Sequence, residues 1–126
     1  MNARARMSSM AAGMALVVSL TLMVPDESPS QTLGGDAMAG KVIYEQHCQR
    51  CHGTGGWGDG PKSGELRVPP ANFHGPILQM KTDEQLLTSV EFGLVMSPMH
   101  AFRGTLSDRE LQDVVAYVRL LGQRGR

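Results

Sequence analysis

The clearest periodic pattern of hydrophobic and polar residues lies near the end of the chain, from position 107 to position 122. Ser107 and Glu110 form a capping-box pair at its start, and Gly122 is a typical stop for a helix. Between them, apolar residues recur at the spacing that places side chains along one face of an α-helix: Leu111, Val114, Val115, Val118 and Leu121. The pattern predicts a C-terminal helix over residues 107–122.

Two weaker patterns predict two further helices. The segment from Thr82 to Gly93 has a second capping-box residue, Gln85, three positions after its start, and it ends in a glycine. The segment 36–51 begins with Asp36, a favoured N-cap residue, and carries an apolar group at its centre. No segment alternates apolar and polar residues for long enough to predict a strand. The fold class is therefore predicted to be all-α.

A long segment between the first two predicted helices, residues 53–76, is rich in glycine and proline. It contains seven Gly and four Pro. That density excludes regular structure over most of the segment. Loops of this length are uncommon in small domains and usually have a function such as ligand binding.

The N-terminal part of the chain is typical of an exported protein. Two arginines precede an uncharged run from Met7 to Val24, a layout in which the basic end stays in the cytoplasm. The run is near the lower limit for a spanning helix and no clear cleavage site follows, so residues 1–24 are predicted to be an export signal or an uncleaved membrane anchor. Residues 25–35 predict a flexible linker, and residues 36–126 a single folded domain. The expected location is the periplasm, either soluble or anchored to the inner membrane.

Composition and charge narrow the function classes only a little. The 126 residues include 12 Lys and Arg against 12 Asp and Glu, so the bulk charge does not favour a nucleic-acid partner. A folded part of about ninety residues builds a marginal apolar core, which favours a metal or a covalent cofactor as reinforcement. The glycine-rich segment lacks the Lys-Ser/Thr ending of a phosphate-binding loop.

The two cysteines of the chain lie in the stretch Cys48-Gln-Arg-Cys51-His52. This C-x-x-C-H pattern is that of covalent haem c attachment, with one sulfur for each vinyl group and an imidazole beside them. A structural zinc would need ligands from the other three histidines, and a thioredoxin-like redox pair would need a preceding strand. A structural disulfide leaves His52 unexplained. Haem c is the favoured interpretation, with Cys48 and Cys51 binding the haem and His52 its iron.

The residue on the other side of the iron decides the function. A thioether there raises the reduction potential relative to an imidazole, whereas an open position binds gases. Seven of the nine methionines lie in the first 24 residues, in the first predicted helix or beside the second. The remaining candidates are Met96 and Met99.

The stretch "GKVIYEQHCQRCHG", followed by "PMHAFRGTLSDRELQDVVAYVRLL", resembles a class I cytochrome c of the bacterial monohaem type. In that family a methionine ligand is followed by an aromatic residue and lies eight positions before the cap of the last helix. The resemblance therefore implies Met99 as the ligand, with Phe102 as the aromatic residue, and leaves Met96 as the weaker alternative. His100 stands where the family usually has proline. It is interpreted as a solvent-facing side chain, with iron binding by His100 itself as the weaker alternative.

The resemblance covers nearly all of residues 36–122 and implies a small cytochrome c fold. Three to four helices wrap around one covalently attached haem c, with long Gly/Pro-rich loops. The first and last helices are expected to cross with Gly40 and Tyr44 against Val114 and Tyr117.

The resemblance also implies that a proline carbonyl of the loop accepts the ring N–H of His52, and Pro61 is the candidate. Trp57 is interpreted as a donor to a haem propionate or as a core aromatic residue. Arg67 and Lys62 are interpreted as partners of the propionates or as solvated surface residues.

The function that these features imply is electron transfer and not catalysis. A haem c with both axial positions occupied, by His52 and Met99, would carry one electron between respiratory or dehydrogenase partners that dock transiently at the haem edge. One alternative is a haem sensor that binds gases after displacing its sixth ligand. A second is the electron-entry subunit of a periplasmic redox enzyme.

Overall fold

The chain folds as a set of α-helices joined by long loops. A computed structural model describes residues 34–124. The helices are α1 Ala37–His47, α2 Gln49–His52, α3 Pro76–Met80, α4 Asp83–Phe92 and α5 Asp108–Arg124, and a single 3₁₀ turn spans Ser63–Glu65. Over the described range there is no β-strand, only an isolated bridge between Arg103 and Leu106. The all-α prediction is confirmed.

The predicted export signal or anchor, residues 1–24, lies outside the described residues, as does the linker up to position 33. Within residues 34–124, no helix combines the length and the apolar character needed to cross a membrane. Export and anchoring therefore stay predictions.

The predicted helix starts are confirmed by their hydrogen bonds. The carboxylate of Asp36 accepts hydrogen bonds from two amides of the first turn of α1, at 2.8 and 3.3 Å. Before α4, the Thr82 amide donates to Gln85 Oε1 at 3.0 Å and the Gln85 amide donates to Thr82 Oγ1 at 3.3 Å. Before α5, Ser107 and Glu110 make the same reciprocal pair at 2.8 and 3.3 Å. Each box satisfies amides that a helix start leaves unpaired.

The predicted helix over residues 36–51 is two helices. The backbone leaves the α1 path at Cys48, where φ is −114° and ψ is −39°. The Cys48 amide makes the last α1 hydrogen bond, to the Tyr44 carbonyl at 2.8 Å, and the Cys48 carbonyl then accepts from the His52 amide at 3.0 Å. The break turns the C-x-x-C-H stretch into a separate short helix, α2.

The prediction that Gly122 ends the last helix is wrong, because α5 continues to Arg124. A Cβ at position 122 would lie 2.8 Å from the Phe73 carbonyl oxygen and 2.6 Å from the side-chain nitrogen of Gln79. Gly122 therefore allows close packing of the loop against α5. The sequence patterns also missed the short helix α3, which begins with a proline at its first position.

The first and last helices cross with their backbones in contact, as the resemblance implies. A Cβ at Gly40 would collide with the backbone carbonyl of Asp113. On either side of this contact Tyr44 and Val114 are 0% exposed. The ring of Tyr44 meets that of Tyr117 edge to face, with centroids 5.3 Å apart. The absence of a side chain at position 40 lets the two helices approach closely enough to bury these residues.

A half-buried arginine holds α3 and α4 on α5. Arg119 Nε donates to Asp83 Oδ1 at 2.6 Å, its Nη1 donates to the Leu78 carbonyl at 3.2 Å, and its Nη2 donates to the Lys81 carbonyl. An arginine can meet several acceptors at once because its guanidinium carries five N–H groups in a fixed plane. The contacts fix α4, and with it the start of the segment that carries Met99.

Candidate functional site

The two cysteines and His52 are placed by the turn from α1 into α2. Cys48 is the residue at which α1 ends, and both Cys51 and His52 donate their amides to its carbonyl oxygen, at 3.1 and 3.0 Å. Gly53, with φ 81°, then ends α2. This tight turn places the three side chains at one end of α1.

All four predicted site residues line one cavity. Its volume is about 460 Å³, within the range of about 300–1,000 Å³ that is usual for small-molecule and cofactor sites. Cys48, Cys51 and His52 lie on it together with Met99. The remaining walls are mostly apolar and include four side chains that are exposed to the cavity and to solvent: Val68, Leu94, Val95 and Met96. Clustered exposed apolar side chains of this kind indicate a binding site.

The ring of His52 is held from two sides. Its Nδ1 donates to the carbonyl oxygen of Ala71 at 3.2 Å, and its face stacks on the ring of Phe73, with centroids 4.7 Å apart. Burial lowers the pKa of His52, although the Ala71 carbonyl acts in the opposite direction. The imidazole is therefore neutral at pH 7, and the hydrogen bond at Nδ1 leaves Nε2 as the atom that can bind a metal.

The prediction that Pro61 accepts the His52 ring N–H is wrong, because Ala71 is the acceptor. The chain around Pro61 turns towards the backbone of α2: the Gly60 amide donates to the Cys51 carbonyl at 3.1 Å, and the Lys62 amide to the Arg50 carbonyl at 3.0 Å. These two hydrogen bonds hold residues 60–62, including Pro61, against the backbone of α2.

The environment of the cysteines does not favour a thiol redox pair. Burial, and to a smaller extent the nearby Cys51, raises the pKa of the Cys48 thiol to about 12. Reactive redox cysteines have lowered pKa values. The two cysteines do not form a disulfide. A zinc site also lacks a ligand set, because no three His, Cys, Asp or Glu side chains of residues 34–124 come together to hold a metal.

The loop after α4 presents Met99 and Met96 differently. The Met99 amide donates to Ser97 Oγ at 3.2 Å and its carbonyl accepts from the Leu94 amide at 3.1 Å. Its side chain is partly buried and packs on the hydrophobic core. Met96 also lines the cavity but is 93% exposed, with a left-handed φ of 64°. Of the two thioethers, the geometry favours Met99 as a ligand.

Gly93 makes this loop possible. Its φ is 71°, and a Cβ there would lie 2.7 Å from the Met99 carbonyl oxygen. Only glycine combines a left-handed backbone with so close an approach. Gly93 thus ends α4, as predicted, and also brings residue 99 back against the end of the helix.

The residues predicted to contact the haem propionates do not line this cavity. Trp57 stacks on His74 with centroids 3.6 Å apart, and Lys62 forms an ion pair with Glu65 at 2.7 Å. Neither Trp57 nor Lys62 nor Arg67 lines the cavity. His47 and His100 do line it, and each contacts the Phe102 ring, at centroid distances of 5.9 and 4.5 Å.

The resemblance placed the stretch PPANF, residues 69–73, in the segment that wraps the haem, but sequence reasoning missed that Ala71 is the acceptor and Phe73 the stacking partner of His52. The only local signal is the Pro-Pro pair that precedes Ala71. The donor set of this site fits a haem c: two thiols one turn apart, an imidazole with one nitrogen already bonded, and a thioether, around apolar walls.

A sequence model of the family described as cytochrome c oxidase, cbb3-type, subunit III matches residues 35–118. The chain belongs to this family and is a monohaem c-type cytochrome. Cytochrome c6 from Leptolyngbya boryana is 32% identical over 91 residues, which are 71% of this chain and 98% of that protein. Family membership implies a covalently bound haem c and a role in electron transfer.

Two solved structures have a similar fold. Cytochrome c6 from the diatom Phaeodactylum tricornutum superimposes with a TM-score of 0.57 at 28% identity, covering 73% of this chain and 100% of that one. A chain of the reducing HAO-like protein complex from Kuenenia stuttgartiensis gives a TM-score of 0.60 at 26% identity, covering 68% of this chain. The match spans only 42% of that second chain.

Proposed function

We propose that this protein is a periplasmic carrier of single electrons. It binds one haem c through thioethers to Cys48 and Cys51, and His52 and Met99 are the axial ligands of the iron. The single observation that carries the proposal is that these four side chains line one apolar cavity. The haem iron, when bound, supplies the ferric and ferrous states between which the electron is exchanged.

The residues around the two axial ligands support rapid exchange. His52 is held by the Ala71 carbonyl and by Phe73, and Met99 is held by Ser97 and Leu94. A ligand set that is already fixed by the protein needs little rearrangement when the charge of the site changes. The protein thus contributes a preorganised environment and no bond-making residue.

The rim of the cavity supports transient docking of redox partners. Val95 is 94% exposed beside Met96 in the loop that carries Met99. Small, partly apolar contacts of this kind are typical of short-lived redox encounters. We therefore place the contact with electron donors and acceptors at this rim.

The proposed periplasmic location rests on the N-terminal segment of the chain. The basic and apolar pattern of residues 1–24 supports export. Fractionation of cells that express the full chain would show periplasmic protein after cleavage, or inner-membrane protein if the segment is kept. Holoprotein in the cytoplasm would contradict the proposal.

The first experiment is a potentiometric titration of the haem-loaded protein, recorded with the weak far-red band of thioether-to-ferric-iron bonding. Wild type should show a well-positive potential and the band. Met99→Ala should lose the band and lower the potential, because a thioether ligand raises it. Met96→Ala is the matched control and should keep both. If Met96→Ala loses the band and Met99→Ala keeps it, the ligand assignment is wrong.

Carbon monoxide binding separates a carrier from a gas sensor. A firmly held Met99 should prevent the ferrous wild-type protein from binding the gas, and Met99→Ala should bind it. Binding of carbon monoxide by the ferrous wild-type protein would favour the sensor function over the carrier function.

A second candidate function is the electron-entry module of a redox enzyme. The observation that favours it is the fold similarity to a chain of a multiprotein complex, the reducing HAO-like complex. Co-purification from the native host would test it, since a free carrier leaves its partners at moderate salt and a subunit does not.

A further inference from the structure

The segment 71–74 packs against both His52 and the loop that follows α2. The Ala71 carbonyl accepts from His52 Nδ1 at 3.2 Å, and the Phe73 ring stacks on the His52 ring. The chain on either side of Ala71 helps to set where its carbonyl lies. The contacts of these flanking residues therefore bear on the iron ligand.

On the N-terminal side of Ala71, Pro70 packs closely against Gly58. Gly58 has φ 78°, and a Cβ there would lie 2.5 Å from the Pro70 carbonyl oxygen. The Gly58 amide donates to the His52 carbonyl at 2.9 Å. Pro70 thus packs against Gly58, which is itself hydrogen-bonded to the backbone of His52.

On the C-terminal side, the segment is held by Phe73 and His74. The Phe73 amide donates to the Gly56 carbonyl at 2.8 Å. His74 Nε2 lies 2.8 Å from the Gly55 carbonyl oxygen, and the His74 ring stacks on Trp57 with centroids 3.6 Å apart and planes 20° apart. His74 is the one side chain of this segment that makes a hydrogen bond across to the loop after α2.

The two nitrogens of His74 define its tautomer. A carbonyl oxygen only accepts, so the 2.8 Å contact with Gly55 requires a proton on Nε2. Nδ1 of His74 is buried and has no hydrogen-bond partner. A proton there would leave a buried donor unsatisfied, which is costly. The 2.8 Å contact therefore assigns the proton of His74 to Nε2, which donates to the Gly55 carbonyl.

We infer that His74 is a positioning residue for the iron ligand. By donating to Gly55, it closes the segment 71–74 onto the loop after α2 and keeps the Ala71 carbonyl against Nδ1 of His52. The inference rests on the proposed function, because it takes His52 as the axial ligand.

The expected consequence is a change in the reduction potential. A hydrogen bond to the outer nitrogen of a metal-binding histidine raises its basicity. A more basic ligand stabilises the ferric state, so a weaker His52–Ala71 hydrogen bond should favour the ferrous state and raise the potential.

Two substitutions test the donor function of His74 in the full-length holoprotein. His74→Phe keeps a ring on Trp57 and removes the donor, whereas His74→Gln replaces the donor with an amide of similar reach. For His74→Phe we expect the ferric-to-ferrous equilibrium to shift by about threefold towards ferrous, which is about 28 mV for one electron since tenfold is about 59 mV. The His52 Nδ1 proton should also exchange faster with solvent in NMR spectra. His74→Gln should restore both quantities.

Three outcomes overturn the inference. The first is a His74→Phe variant that is less stable to denaturant but has unchanged potential and Nδ1 proton exchange, since His74 would then only support the fold. The second is a His74→Gln variant with the same shifts as His74→Phe. The third needs no variant: ¹⁵N chemical shifts of the wild-type protein that place the proton of His74 on Nδ1.

The wild-type protein separates this inference from the proposed function. If wild type lacks the far-red band or the Nδ1 proton signal of His52, the ligand assignment fails and His74 has no iron ligand to position. If wild type shows both and the His74 variants do not differ from it, only the positioning role fails.

Discussion

Two valines of this chain have opposite surroundings. Val114, in the crossing of α1 and α5, is 0% exposed, whereas Val95, in the loop that carries Met99, is 94% exposed. Around Val114 the backbone of α1 touches that of α5 at Gly40 and the aromatic rings of Tyr44 and Tyr117 close the contact. Around Val95 the apolar side chains face a cavity of about 460 Å³.

The difference shows which part of the fold the polypeptide completes by itself. The crossing buries its apolar surface between two helices, and such burial is the main stabilising contribution in small domains. Much of the cavity wall is loop, and four of its apolar side chains are exposed: Val68, Leu94, Val95 and Met96. This second region needs a cofactor to bury its surface, so the two regions should respond differently to perturbation.

Removing the covalent haem should have the largest effect. In a variant with both Cys48→Ala and Cys51→Ala, the hydrogen-bonded amides of the cavity walls, such as Leu94 and Phe102, should lose protection from hydrogen exchange. Their loss should exceed that of buried α5 amides such as Val114 by about tenfold, because local opening follows local burial. Equal loss in both regions would mean that the helix crossing depends on the haem as much as the loops do.

Substitution at the crossing comes next. Gly40→Ala should destabilise the holoprotein by about 3 kcal/mol or more, because the new Cβ collides with the Asp113 carbonyl in a close-packed contact. Gly64→Ala is the matched control, since a Cβ there meets nothing within 4 Å. Denaturant titration should show almost no change for it. Similar losses for the two variants would contradict the role assigned to the crossing.

The smallest effect is a pH dependence at the start of α5. The amide and then the hydroxyl of Ser107 lower the pKa of Glu110 from its ordinary 4.5. The unfolded chain therefore binds more protons at acidic pH, so this contribution to stability is present above pH 4.5 and is lost as the pH falls through the lower folded value. Glu110→Gln should reduce the acid sensitivity of unfolding slightly. In a Ser107→Ala background, which keeps the backbone amide and removes the hydroxyl, the same substitution should have a smaller effect. An effect of undiminished size in that background would rule out a contribution from the Ser107 hydroxyl.

The predictions that hold for the fold depend on residues close together in the chain. The capping pairs Thr82–Gln85 and Ser107–Glu110 are three positions apart, and the apolar stripe of the last helix repeats within one turn. Gly40 is an exception, since the family resemblance implied that it packs against the last helix near Val114 and Tyr117, and the structure shows its contact there with Asp113. The starts of α1, α4 and α5 were therefore predictable, whereas the break at Cys48 and the short helix α3 were not. The continuation through Gly122 was not predictable either, because there the loop around Phe73 packs on α5.

The sequence by itself determined the chemistry available at the site, because the C-x-x-C-H stretch sets the two thiols and the imidazole within one local turn. Only the tertiary structure decided what holds that imidazole. The acceptor of His52 lies 19 positions along the chain, at Ala71 and not at Pro61, and the anchor of that segment is His74 on Gly55, also 19 positions apart. Which carbonyl reaches the ring depends on how glycines at positive φ turn the loop, and no spacing in the sequence records that path.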